Sequence, residues 1–427
     1  MSDKNIQIVV SNELCFGCGT CNEVCPSKAI CMEFGSMGRL LPVVDESLCT
    51  QCGLCSKLCP GIDISGALSE KIEATLLGDT REVLMGRSAD EEAFNNSQSG
   101  GATTETLAFL FDEGKIDAAL AVSQVNHVAK YRVVTSKQEL FECQTSQYTP
   151  VDLNSGLPLV KEYEHVAVVG TPCHIEGIVK LKRQFPKIYS NIDYLLGLIC
   201  AGTQSQLVVD VVKAVGERYI GRISDEEQIR WRQKKYSNYQ RADIAVVGTD
   251  GRVRMLDNNI RHMSKQYLTA PRCKLCFDKM NLYADIVYGD AWGVSGEDTK
   301  NGSNVIICRT EKGQQLISEM VSKGRLLARP CPKEEIAKGQ GIPKKKKTVE
   351  KMLYIYREKG FLTPGWANSD VFSRGVQNVD CLRKTVDEYL FSSKRDSSSV
   401  VKKITRVIKR QLAIMDFKKF LRKLIIK

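Results

Sequence analysis

The chain has 427 residues, 43% hydrophobic and 26% charged, enough for about three domains whose cores need no disulfide staples. Its net charge of +11 sits at one end: residues 400–427 carry ten Lys or Arg and one acidic residue, leaving the other 399 residues at +2, so no broad basic groove for nucleic acid is expected. Seventeen cysteines against four histidines point instead to thiolates used in bulk. No run approaches the ~18 apolar residues of a membrane-spanning helix, and the first residues lack a signal-peptide pattern, so the expected compartment is the reducing cytoplasm. In that compartment, cysteines at short regular spacing read first as metal ligands or redox groups.

Residues 1–65 form the first unit. They hold nine of the cysteines and an internal repeat, CFGCGTCNEVCP from Cys15 and CTQCGLCSKLCP from Cys49. Each copy is C-x2-C-x2-C-x3-C-P. Three thiolates from one tight loop, eased by Gly17, Gly19 and Gly53, suit a 4Fe-4S cubane, and in two-cluster ferredoxins the fourth Cys ligates the other cluster. The expected ligand sets are therefore Cys15, Cys18, Cys21 with Cys59, and Cys49, Cys52, Cys55 with Cys25. A zinc module is the alternative, but zinc sites favour paired C-x2-C knuckles with a long spacer.

Residues 66–343 read as α/β. SQSGGATTETLAFLFDEGKIDAALAVSQ gives a Gly turn, a helix carrying Leu107, Leu110 and Phe111 and closed at Gly114, and a strand over Ala118–Val122. HVAVVGTPCHIEGIVKLKRQF and NIDYLLGLICAGTQSQLVVDVVKAVG repeat strand, turn and helix, and further strands are expected at Asp243–Val247 and Asp285–Tyr288, the first followed by a TDG turn and the basic strand RVRML. Cys173 in GTPCH and Cys200 in LICAG each follow a predicted strand, and Cys273 and Cys276 form RCKLC. In an open α/β sheet ligands gather at the carboxyl ends of strands, so these four thiols are candidates for a third cubane. On spacing alone, a redox pair, a zinc half-site or buried structural cysteines remain open.

The set SGG (Ser99–Gly101), YTPV (Tyr148–Val151), GTPCHIEG (Gly170–Gly177), LICAG (Leu198–Gly202), CKLCFDK (Cys273–Lys279) and ADIVYGDAWG (Ala284–Gly293) resembles the family of beta subunits of coenzyme F420 hydrogenases and dehydrogenases over roughly residues 70–340. The fused N-terminal module resembles the arrangement in F420H2 dehydrogenase input subunits and in related reductases, hydroxymethyl chlorophyll reductase among them. The resemblance implies an FAD-binding iron–sulfur oxidoreductase with the third cluster near the flavin, its ligands at Cys173, Cys200, Cys273 and Cys276. The substrate it favours is coenzyme F420, with ferredoxin or a partner redox subunit as one-electron carrier; another small organic substrate, or a non-enzymatic relay, are the alternatives. P-loop, GxGxxG and GxSxG motifs are absent, so the flavin must be held otherwise. Ser99, Gly100, Gly101 and Thr103, opening a helix, are the expected phosphate cradle, with Gly170 and Thr171 as further cofactor contacts. His174 stands where many relatives carry Gln, and reads as a helix N-terminal residue before it reads as a proton donor.

Residues 344–391, with a KKKK run, are expected to be a helical extension, and 392–427 a polar linker, SSKRDSSS, and a basic amphipathic tail. Val401, Ile404, Ile408, Leu412 and Met415 keep helical spacing, as Phe417, Phe420, Leu421 and Leu424 do beyond them, which suits peripheral contact with an anionic membrane, an acidic partner groove, or packing back on the protein itself. The remaining cysteines, Cys31, Cys143, Cys308, Cys331 and Cys381, are expected to be small buried hydrophobes without a role.

Overall fold

The computed structural model describes residues 4–62, 76–368, 371–372, 375–376, 378–390 and 396–425, the side chains of 389–390 and 417–425 excepted. The N-terminal module is built on an antiparallel hairpin, β1 (Ile30–Phe34) with β2 (Leu40–Val44), Ile30 opposite Val44. Its sequence repeat is also a structural one. Thr20–Val24 and Leu54–Lys57 are one-turn helices, each opening after a left-handed glycine, Gly19 (φ +85) and Gly53 (φ +76), and each carrying the third cysteine of its motif.

Beyond it run β3 (Glu82–Ser88), β4 (Ala118–Val125), β5 (Val128–Val134), β6 (Val166–Gly170) and β7 (Ile192–Leu198). A separate antiparallel sheet follows, of β8 (Gln228–Trp231), β9 (Ile244–Val247) and β10 (Val253–Leu256), and then come β11 (Ile286–Asp290), β12 (Asn304–Cys308) and β13 (Leu326–Pro330). The main sheet has the order β13-β3-β12-β11-β7-β6-β4-β5. Its centre, β11-β7-β6-β4, is parallel, and antiparallel strands flank it on both sides. Val166, Ala167 and Val168 are wholly buried, as expected for a central parallel strand covered on both faces. The helix Pro172–Gln184 crosses from β6 to β7; Thr171 caps it, Pro172 opens it, and Ile175, Ile178 and Leu181 bury one face.

The fold is α/β with a ferredoxin-like N-terminal module, and the strands and helices expected from the sequence occur in their order. The TDG turn leads into β10 and the Asp243–Val247 region into β9. The KKKK run lies inside the helix Ile342–Glu358, which starts before the boundary expected at 344. Part of the expected linker, residues 392–395, lies outside the described residues; its last three serines already belong to the helix Ser397–Ile425, the Asp396 carboxylate accepting from the Ser398 and Ser399 amides at 3.3 and 3.1 Å.

Of the three readings of the tail, packing back on the protein is the one its described apolar stripe follows. Val400, Ile404, Ile408 and Leu412 are buried, 0–5% exposed, and the helix packs on Leu207–Ile220 and Asn259–Leu268. The apolar stripe through Leu412 is therefore used internally. Val401 and Met415 are only half-buried, and the side chains from Phe417 on lie outside the described residues. Among the described residues no helix is long and apolar enough to cross a membrane.

Candidate functional site

Twelve cysteines converge in three places. Cys25, Cys49, Cys52 and Cys55 line one cavity with Asn5, Pro26, Ile30 and Gly53. Cys15, Cys18, Cys21 and Cys59 stand within electrostatic reach of one another. Burial pushes the Cys15 thiol well up and Cys59 and Cys18 add to it; burial raises Cys21 far above the usual thiol range, with Cys15, Cys18 and Cys59 adding repulsion. Burial likewise lifts Cys59 to about 12. Thiols crowded in this way ionise only against a bound positive charge.

The third group is built by the main sheet. Cys173 follows β6 and Cys200 follows β7, two adjacent parallel strands paired Gly170 to Gly197, so both thiols emerge at the same carboxyl edge. The short helix Pro271–Leu275 and the residue after it bring Cys273 and Cys276 to that edge. All four line one cavity, together with Phe16, Gln147, Thr149, Val151, Thr171, His174, Asp278 and Lys345. Backbone and hydroxyl groups turn toward the sulfurs: Gly202 N–H to Cys200 Sγ at 3.4 Å, and Thr171 Oγ1 beside Cys173 Sγ at 3.4 Å. Burial raises Cys276 to about 12 and Cys173 far above its usual range, and Cys18 is among the groups that add to Cys173, so the third site abuts the first. Among the described residues no three His, Cys, Asp or Glu side chains meet closely enough to hold a single ion. These thiols surround a space instead, as donors to a multi-atom cluster must.

His174 turns out to be a cap. Its Nδ1 accepts from the Thr171 amide and hydroxyl at 3.3 and 3.0 Å, and its Nε2 donates to the Val151 carbonyl at 3.1 Å. Burial holds its pKa down to about 4. Both ring nitrogens are engaged and the imidazole is neutral, which leaves it no proton to give. Thr171 lines the cavity, whereas Gly170 is packed: a Cβ there would come within 3.0 Å of His174, and its carbonyl accepts from Asn281 Nδ2 at 2.9 Å.

The turn Ser99–Gly101 is closely packed. A Cβ on Gly100 would stand 2.7 Å from the Gly86 carbonyl and 2.6 Å from Asn304 Oδ1, and Gly101 has φ +74 with the Ala93 carbonyl 2.8 Å from its ideal Cβ. The Ala102 amide already donates to Asn304 Oδ1 at 3.0 Å and Ser99 Oγ to the Ser303 carbonyl at 2.7 Å. Close approach of β3 and β12 thus calls for glycine at 100, and the Ala93 carbonyl together with the positive φ calls for it at 101. Half-buried Thr103 and Thr104 carry the remaining first-turn amides of that helix.

A second polar nest, which sequence reasoning missed, lies beside the cavity. Tyr148, between the lining residues Gln147 and Thr149, accepts from Arg232 Nη1 at 3.2 Å and lies under the Arg261 guanidinium at 4.1 Å. Arg232 also meets Asp290 Oδ2 at 2.9 Å, at the carboxyl end of β11. Arg232 Nη2, Asp290 Oδ1, Trp231 Nε1, Thr149 Oγ1 and both polar atoms of Gln204 are buried without partners. Buried polar atoms are normally paired, so this nest is made for a polar ligand. Only YTPV hinted at it; Arg232, Arg261 and Gln204 carry no local motif. Of the five other cysteines, Cys308 is buried, Cys143 and Cys331 are half-buried, and Cys31 and Cys381 are exposed, which corrects the expectation that all are core residues.

Comparison with known proteins bears on these sites. Residues 14–61 match the 4Fe-4S dicluster domain, residues 83–158 the N-terminal model of the coenzyme F420 hydrogenase/dehydrogenase beta subunit, and residues 163–334 its C-terminal model. A subunit of the F(420)H(2) dehydrogenase of Methanosarcina mazei is 25% identical over 83% of this chain and 96% of its own. The coenzyme F420 hydrogenase subunit beta of Methanococcus voltae is 26% identical over 67% and 99%. The F420-dependent formate dehydrogenase 1 subunit beta of Methanococcus maripaludis is 27% identical over 60% of this chain, and the match spans 63% of that protein. A chain of the F420-reducing [NiFe] hydrogenase complex of Methanosarcina barkeri is similar at a TM-score of 0.49 and 21% identity, over 65% of this chain and 94% of that one. The two beta-subunit models together span more than half of the 427 residues, and the chain belongs to the family of coenzyme F420 hydrogenase/dehydrogenase beta subunits, with a 4Fe-4S dicluster domain fused ahead of it.

Proposed function

We propose that this chain is an iron–sulfur flavoprotein oxidoreductase that exchanges electrons between coenzyme F420, at FAD, and a one-electron carrier or partner subunit. The observation that carries the reading is the cavity holding all four thiols Cys173, Cys200, Cys273 and Cys276 beside the first ferredoxin-type site. Soft thiolates in fours are the donor set of 4Fe-4S cubanes, so three are assigned: to Cys15, Cys18, Cys21 and Cys59; to Cys25, Cys49, Cys52 and Cys55; and to Cys173, Cys200, Cys273 and Cys276. Relatives named for F420 supply the substrate.

When bound, flavin takes up two electrons as a hydride and releases them singly, which cubanes relay one at a time. The residues that would hold it are those of the polar nest, Thr149, Gln204, Arg232 and Asp290, whose orphaned donors and acceptors fit a ring edge or a phosphate, with Arg261 beside them. Arg232 and Arg261 offer fixed positive charge to an anionic group, and Asp290 keeps Arg232 oriented. Phe16 and Val151, lining the cavity between the module and the sheet, keep water from it. His174 holds the Cys173 turn in place and moves no proton.

The test is anaerobic purification with iron, sulfide and flavin analysis, followed by mixing with reduced F420. Oxidation of F420H2 with bleaching of flavin and cluster absorbance is the expected result. Protein with iron near eight, or without flavin, rejects the scheme; full cofactor content without F420 oxidation rejects the substrate alone.

A further inference from the structure

The three thiol sites differ sharply in the fixed charge around them. At the third site, Lys274 lies between Cys273 and Cys276 in sequence, Lys345 lines the cavity with the four thiols, Lys279 accepts the Cys200 amide on its backbone carbonyl at 3.0 Å, and Lys265 acts electrostatically on Cys200. Three of these amines end on backbone carbonyls, which supply no counter-charge: Lys345 Nζ on Cys273 O at 2.6 Å, Lys274 Nζ on Gln266 O at 3.0 Å, and Lys279 Nζ on Gln340 O. Arg272, 1% exposed and next to Cys273, reaches the Gly61 carbonyl at 3.2 Å, so its charge lies between the first and third sites and does not separate them. Against them stands Asp278, which lines the cavity; Asp290, farther off, is matched by Arg232.

The first site is as deeply buried and holds fewer cations: Arg39 is paired with Glu13, and Lys180, whose Nζ donates to the Cys59 carbonyl at 3.1 Å, has Glu176 beside it at 3.6 Å. The second site is partly open, Cys52 being exposed. Hydrogen bonds to sulfur do not separate the three, since Gly17 and Gly61 amides reach Cys15 and Cys59 at 3.3 and 3.2 Å, Ala29 reaches Cys25 at 3.3 Å, and Gly202 reaches Cys200 at 3.4 Å. Reduction adds one negative charge to a cluster. Burial opposes that addition and nearby uncompensated cations favour it, with little screening away from bulk water.

We infer that Lys265, Lys274, Lys279 and Lys345 hold the centre at Cys173, Cys200, Cys273 and Cys276 at the highest reduction potential of the three, so that an electron entering from either end comes to rest beside the flavin. This rests on the cluster assignment above. The lysines are positioning residues that act through the cluster, and the arrangement favours electrons running from the dicluster module toward the flavin side.

The test is a potentiometric titration of the whole anaerobic protein with dithionite and mediators, followed by electron paramagnetic resonance. The first cluster signal to grow in belongs to the third site: Lys345→Met and Lys265→Gln each move its midpoint downward and leave the other two in place, and Lys345→Arg restores it. Should Lys345→Met lose iron because Cys273 has shifted, Lys265→Gln, which donates to no ligand backbone, still decides. Iron content near twelve with the lysine-sensitive signal growing in last, or with no signal moving in either variant, overturns the inference; iron near eight overturns the assignment beneath it.

Discussion

Ile408 separates a docked C-terminal helix from one reserved for a membrane. It is 0% exposed on the helix Ser397–Ile425, in the stripe with Val400, Ile404 and Leu412 that packs on Leu207–Ile220, whose Val208, Val211, Val212 and Val215 are also wholly buried. Truncating such a side chain removes its transfer free energy and leaves a cavity, so Ile408→Ala is expected to cost about 2–5 kcal/mol. Ile414 on the same helix is 46% exposed, and Ile414→Ala is expected to stay within about 0.5 kcal/mol. At roughly 2–4 °C per kcal/mol for a domain of this size, the first variant melts at least ~4 °C lower and the second shifts by ~2 °C or less. The assay is thermal unfolding of anaerobic full-length protein, with binding to anionic vesicles measured alongside. Equal, small shifts for the two variants would refute the docking and return the stripe to a membrane or a partner. If Ile414→Ala alone weakened vesicle binding, the outer face and not the stripe would be the membrane contact.

Three further outcomes are expected. Iron analysis gives about twelve atoms per chain, from four-thiolate ligation at three sites, and Cys276→Ser loses about four of them, whereas exposed Cys31→Ser loses none; equal losses would void the ligand assignment. Gly100→Val destabilises the fold by at least about 1–3 kcal/mol, because its side chain meets the Gly86 carbonyl and Asn304, and any flavin loss follows the loss of fold; flavin lost from a variant that melts normally would restore the phosphate cradle. Arg232→Met lowers flavin retention while the iron count holds, and unchanged flavin content would move the ligand out of the polar nest.

The parts legible in the sequence were those with local signatures. The C-x2-C-x2-C-x3-C-P repeats, the alternation of strand and helix, and the placing of Cys173 and Cys200 after strands all rest on spacing within a dozen residues, and β6 and β7 prove to be neighbours, as convergence of those thiols requires. What the sequence hid depends on long-range packing. Ser99–Gly101 looks like a phosphate turn because glycine permits both close ligand approach and close strand approach, and the strand contact comes from Asn304, some 200 residues on, where no local pattern could announce it. The basic tail looks free because the valines that receive it sit in another helix. Arg232, Arg261 and Gln204 come from separate elements and leave no spacing to read.

The junction between the two units decides whether the clusters form a fixed relay or a tethered one. Asn154, 0% exposed, donates to Thr20 Oγ1 at 2.9 Å and to the His174 carbonyl at 3.0 Å, while its amide donates to the Cys18 carbonyl at 3.0 Å, so one side chain ties the Cys18 loop to the turn that presents Cys173. Gly177 lets the helix Pro172–Gln184 come so close that a Cβ would stand 2.1 Å from Thr20 Oγ1. Buried Glu23 draws Tyr189 at 2.7 Å and Lys161 at 2.8 Å, and Arg272 reaches back to Gly61. Asn154 Oδ1, Glu23 Oε2 and Arg272 Nη1 are buried there without partners, but the groups that are paired would be stranded by a shift of the interface at about 1–3 kcal/mol apiece. These bonds hold the dicluster module against the beta-subunit domain. Transfer between the first and third sites then depends on the contents and potentials of the centres and not on domain motion, and that is why changing the charge around the third site is the sharpest way to test how this protein sends its electrons.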